Sequence, residues 1–84
     1  MGKHSYVTSG TCSRRIDFEI TNDGKLTGIR FDGGCNGNLQ GICRLCEGQD
    51  AAVIADKLSG IRCGFKPTSC PDQLAKAIRR ALGK

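Results

Sequence analysis

Six cysteines, Cys12, Cys35, Cys43, Cys46, Cys63 and Cys70, are the residues of this chain best equipped for chemistry. Cys70 stands in the string Thr68-Ser69-Cys70-Pro71-Asp72, which reads as the start of a helix with the cysteine at its N-cap. Pro71 suits the first helical position, where a missing N–H costs nothing. Asp72 would lie in the first turn, where the helix dipole favours negative charge. Gln73, three residues beyond Cys70, is placed to reach back to the cap. Backbone N–H groups aimed at the sulfur favour the thiolate, the form that binds metal or attacks an electrophile.

Cys35 has a similar setting. Gly33-Gly34-Cys35-Asn36-Gly37 is a glycine-rich turn from a strand into a helix, so Cys35 also precedes a helix N-terminus. Cys12 lies just before the first long strand, and Cys63 precedes Cys70 by seven residues on a segment flanked by Gly and Pro. Four thiolates from turns and loops, Cys12, Cys35, Cys63 and Cys70, suit a tetrahedral site for Zn²⁺ or an iron–sulfur cluster. Four unconnected thiols are the alternative, because the spacing is not that of a two-knuckle metal site. With Zn²⁺ such a site keeps a charge of −2, which helix N-termini and Arg14, Arg15 or Arg62 could offset. Cys43 and Cys46 differ: with Leu39 and Ile42 they form one apolar helical stripe. Core packing as small hydrophobes is the favoured role for this pair, with redox or disulfide chemistry second and metal binding third.

No other constellation competes. His4, the single histidine, sits near the N-terminus and is expected to be solvated, so no Ser/His/Asp set can be assembled. The glycines at 33, 34 and 37 lack the Lys-Ser/Thr ending of a phosphate loop.

Those cysteines must be held by a small scaffold. Eighty-four residues with twelve Gly, three Phe, one Tyr and no Trp make one domain, spanning 1–84, with a thin core. At this size burial barely exceeds the entropy of ordering, so a disulfide, a metal or a partner chain is expected as a staple. The first residues carry no apolar run of the signal-peptide kind, and no stretch approaches the ~20 apolar residues of a membrane span. A cytoplasmic location is therefore expected, where clustered cysteines bind metal or do redox work more often than they form structural disulfides. The net charge of +5 fits a solvated helix face, with Lys76, Arg79 and Arg80 complementing a helix C-terminus. So few aromatics argue against a nucleic-acid partner.

The pattern predicts strands before helices. Residues 13–21 alternate, with Ile16, Phe18 and Ile20 on one side; a turn at Asn22-Asp23-Gly24-Lys25 follows, and residues 26–31 return as a second strand. A shorter strand is expected at 6–8 and an extended piece at 61–65. Helices are predicted over 36–47, over 51–58 with Asp50 as cap, and over 71–82. The fold class is then α+β, an antiparallel, hairpin-based sheet with about three helices on one face.

The string at 68–72, together with Phe31-Asp32-Gly33-Gly34-Cys35-Asn36-Gly37-Asn38-Leu39 and Leu58-Ser59-Gly60-Ile61-Arg62-Cys63-Gly64, resembles the TSCPD-domain family over nearly the whole chain. That resemblance implies the same four cysteines, Cys12, Cys35, Cys63 and Cys70, and leaves Cys43 and Cys46 outside the pattern. Related domains end some cobalamin-dependent ribonucleotide reductases, which implies a partner of that kind or another redox enzyme. The chain alone has no room for a reductase barrel or radical site, so an accessory module, a monomer or homodimer, is expected rather than an enzyme. A looser resemblance links Cys12, Cys35 and Cys70 to the U-type iron–sulfur scaffold proteins and implies their fold. Arg14 and Ser69 depart from those scaffolds' Asp and His, which favours a site that keeps its metal, Zn²⁺ before an iron–sulfur cluster, over a cluster carrier. A thiol redox protein using a cysteine pair is the third function class.

Overall fold

A computed structural model of the chain describes residues 2–8, 13–33, 36–62, 64–65 and 67–83. Among them run β1 (Gly2–Val7), β2 (Ser13–Ile20), β3 (Leu26–Gly33), α1 (Asn36–Cys46), α2 (Ala51–Leu58) and α3 (Cys70–Ala81). The strands form one antiparallel sheet in the order β1-β2-β3, and the fold is α+β as the pattern predicts.

Alternation in β2 decides which side of the sheet is inside. Ile16, Phe18 and Ile20 are buried, and α3 lies over that side with Leu74, Ala77 and Ile78 turned inward. Full burial of a side chain such as Ile16, Leu74 or Ile78 contributes about 1.5–3 kcal/mol. The β2–β3 turn closes through Thr21 N–H to Lys25 O (2.9 Å) and Gly24 N–H to Thr21 O (2.9 Å). The register of β3 then shifts opposite Asp17–Glu19, where Gly28 has φ +62. A left-handed residue admits an extra position into the strand, and it returns Ile29 to the side of Leu26, so both are buried.

Two ties hold α1 and α2 to the sheet. Glu47, just past α1, accepts from Gly28 N–H (3.0 Å) and from the Thr27 hydroxyl. Leu26 N–H donates to Gln49 O (2.8 Å), and Gly48 N–H donates to Leu26 O (2.6 Å). Asp50 caps α2 as predicted, accepting from Ala52 N–H (3.0 Å) and Val53 N–H (3.2 Å).

Three local expectations are corrected. β1 covers Gly2–Val7 rather than 6–8, because pairing of Gly2 with Ile20 through Val7 with Arg15 supplies an order that its polar sequence does not signal. His4 is accordingly not solvated: it pairs across to Phe18, its ring centroid 5.4 Å from that ring. Its Nε2 is buried with no hydrogen-bond partner among the described residues. The extended piece expected at 61–65 does not continue to its end: Gly64 and Phe65 make a turn, with Gly64 at φ +59.

Candidate metal centre

The cap of α3 is Ser69, one residue earlier than the sequence suggests, and Cys70 is the first helical residue. The reason is chemical: a serine oxygen accepts an N–H far better than a thiol does, and Ser69 Oγ accepts from Asp72 N–H at 3.1 Å. Cys70 is half-buried there, within the first turn.

The residues around Cys70 are more deeply buried than it is. Thr68, Ser69, Asp72 and Gln73 are each between 3% and 4% exposed, which for polar side chains requires partners. Asp72 accepts Gly60 N–H at 2.7 Å on Oδ1 and the Thr68 hydroxyl on Oδ2, with Lys76 Nζ 3.4 Å away. Gln73 Nε2 donates to Thr68 Oγ1 at 3.0 Å, and Ser69 Oγ donates to Ile61 O at 2.6 Å. Burial pushes the Asp72 carboxyl up, but the Thr68 hydroxyl, the Gly60 N–H and the Lys76 ammonium outweigh it and hold the group below its ordinary value. Asp72 is thus a buried acceptor and not only a dipole partner. Its side chain and that of Ser69 clamp residues 60–61 onto the first turn of α3. Short polar residues on both sides of a Cys-Pro step were the available signal, since such side chains bond nearby backbone readily.

Of the four candidate ligands, Cys70 has the placement given above. Cys12, Cys35 and Cys63 lie outside the described residues. Among the described residues, no group of three or more His, Cys, Asp or Glu side chains comes together in a metal-binding arrangement. Cys43 and Cys46 take the role expected of them. Cys46 is 3% exposed inside the core, and Cys43 packs against it, half-buried. Burial pushes the Cys46 thiol up; Cys43 is raised by burial first, then by Cys46 and Glu47. Thiols held protonated are poor nucleophiles and poor ligands.

A three-stranded sheet carrying three helices, the last opening on a cysteine whose flanking Thr, Ser and Asp anchor the preceding loop, defines a small α+β domain with a preorganised cysteine turn. The TSCPD domain matches residues 1–82 of the 84-residue chain, and the chain belongs to that family. No curated protein matches it, and no solved structure does. The likeness to the U-type scaffolds is not shown by these comparisons and rests on the order of Cys12, Cys35 and Cys70 relative to a strand pair, a Gly-Cys turn and the last helix.

Proposed function

We propose that Cys12, Cys35, Cys63 and Cys70 bind one metal centre, Zn²⁺ in preference to an iron–sulfur cluster, in a cytoplasmic accessory domain that works with a protein partner. The clamp on α3 is the observation that carries this. Ser69 and Asp72 tie Ile61 and Gly60 to the helix that Cys70 opens. Cys63 follows Ile61 by two residues, a reach of at most ~7 Å. The clamp thus fixes the chain two residues before Cys63 against the helix that Cys70 opens, which suits a structural site drawing on both thiolates. The donor set is four soft thiolates, and these suit Zn²⁺ or iron–sulfur chemistry. In a domain with so thin a core the metal adds folding energy directly, on the order of 10–16 kcal/mol in apparent terms for structural zinc in small peptides. Family membership supports an accessory role linked to ribonucleotide reduction. No helix among the described residues is long and apolar enough to cross a membrane.

Metal analysis of protein purified anaerobically, with a thiol count and an absorption spectrum, tests this. About one Zn per chain, no colour, and loss of metal in Cys70→Ser are expected. Iron with sulfide and a brown chromophore would replace zinc by a cluster and make a carrier the better account. No metal and paired thiols would overturn the proposal in favour of thiol redox chemistry.

A further inference from the structure

With strand order β1-β2-β3, β3 is an edge strand, and among the described residues only its first half is covered. Loop residues Gly48 and Gln49 and the Glu47 side chain bond Leu26, Thr27 and Gly28. From Ile29 to Gly33 the outer edge bonds nothing among the described residues. An uncovered edge is a template for another strand. Beside it lies a groove of about 330 Å³ lined by Ile29, Phe31, Leu39 and Cys43, so the edge can be approached from the helical side.

We propose that this free half of β3 pairs antiparallel with β3 of a second copy of this chain, joining two sheets into one of six strands. The charges of the strand select both the occupant and the register. Ile29 and Phe31 face the helices, whereas Arg30 and Asp32 lie on the open face, opposite Asp17 and Arg15 of β2. Asp17 takes Arg15 at 3.3 Å, and neither Arg30 nor Asp32 has an ion pair among the described residues. The two-fold axis of an antiparallel pair stands normal to the sheet, so facing residues must share a side. Pairing is then centred on Arg30, Phe31 or Asp32. Centring on Arg30 or on Asp32 sets like charges directly opposite, which is unfavourable. Centring on Phe31 sets Arg30 of each copy opposite Asp32 of the other and places the two Phe31 rings together at the dyad. Ile29-Arg30-Phe31-Asp32-Gly33 is therefore complementary to itself in that register alone. A separate strand from another protein would have no such reason to match.

Sedimentation of the full chain at rising concentration tests this, with hydrogen exchange read residue by residue. Wild type is expected to dimerise, and amides within 29–33 to gain protection as it does. Arg30→Asp and Asp32→Arg, checked as folded by circular dichroism, should each raise the dimer Kd roughly tenfold or more, because two attractive pairs become repulsive. Mixing the two variants should restore association, since both carboxylates of one copy then meet the two guanidinium groups of the other, while nothing changes within either chain. A chain that stays monomeric at every concentration overturns the proposal. So does a dimer that leaves 29–33 unprotected, or variants that do not recover on mixing. Metal content has no part in these readouts, so the outcome is independent of the metal proposal.

Discussion

Asp72→Ala removes the acceptor on which the α3 clamp depends. In the folded chain that carboxylate takes one backbone N–H, from Gly60, and one hydroxyl, from Thr68, at a site 3% exposed. Hydrogen bonds to a charged group contribute about 1.5–3 kcal/mol each, and an orphaned buried donor costs about 1–3 kcal/mol. The Thr68 hydroxyl keeps a second, longer acceptor in Ser69 O at 3.5 Å, so its loss is the smaller one. Lys76 is about half exposed, and an ion pair to so exposed a partner adds less than ~1 kcal/mol. The expected destabilisation is about 3 kcal/mol for Asp72→Ala and about half of that for Asp72→Asn, which still accepts one bond. Against a total stability on the order of 4–13 kcal/mol for a chain of this size, Asp72→Ala is a major loss. Urea denaturation of wild type and variants at matched metal content measures it, with Lys76→Ala as a control expected to shift stability by no more than ~1 kcal/mol. The pH dependence has a fixed sign. A carboxyl held below its ordinary value contributes its stability in full above the unfolded pKa of ~3.9, and loses it as pH falls through the lower folded value. The gap between wild type and Asp72→Asn should therefore be constant from neutrality down to about pH 4 and close in more acid solution. Equal stability of wild type and Asp72→Ala at neutral pH would refute the anchoring role. A gap that widens in acid would refute the protonation argument.

Glu47→Ala should cost about 1–2 kcal/mol by thermal or urea denaturation, because Gly28 N–H and the Thr27 hydroxyl lose their shared acceptor at an exposed site. Cys46→Ser should destabilise by about 1–3 kcal/mol, through a hydroxyl placed in the core without a partner, yet leave metal content unchanged. For the same reason Cys46 in the wild-type protein should resist alkylation at neutral pH until the chain unfolds, as mass spectrometry of labelled peptides would show.

Much of this fold is written in short-range pattern. The alternation of Ile16, Phe18 and Ile20 defines β2, Asp50 marks the start of α2, and the stripe Leu74, Ala77, Ile78 defines the buried side of α3, because each signal needs only residues within a few positions of one another. The apolar role of Cys46 was likewise legible, from its place on the stripe with Leu39 and Ile42, whereas the four-cysteine set rests on turn chemistry alone, since of that set only Cys70 lies among the described residues. What lay beyond the sequence depends on groups far apart along the chain. β1 is ordered through Val7 by pairing with Arg15 and its neighbours, and Phe18 brings His4 out of water. Glu47 is an anchor only because β3 presents Gly28 to it, nineteen residues away. Asp72 reads locally as a helix-dipole residue, but Gly60, twelve residues earlier, makes it a buried clamp. Local spacing states which side chains could cap, turn or pack; tertiary contact decides which donor a buried acceptor meets, because that donor arrives from another element.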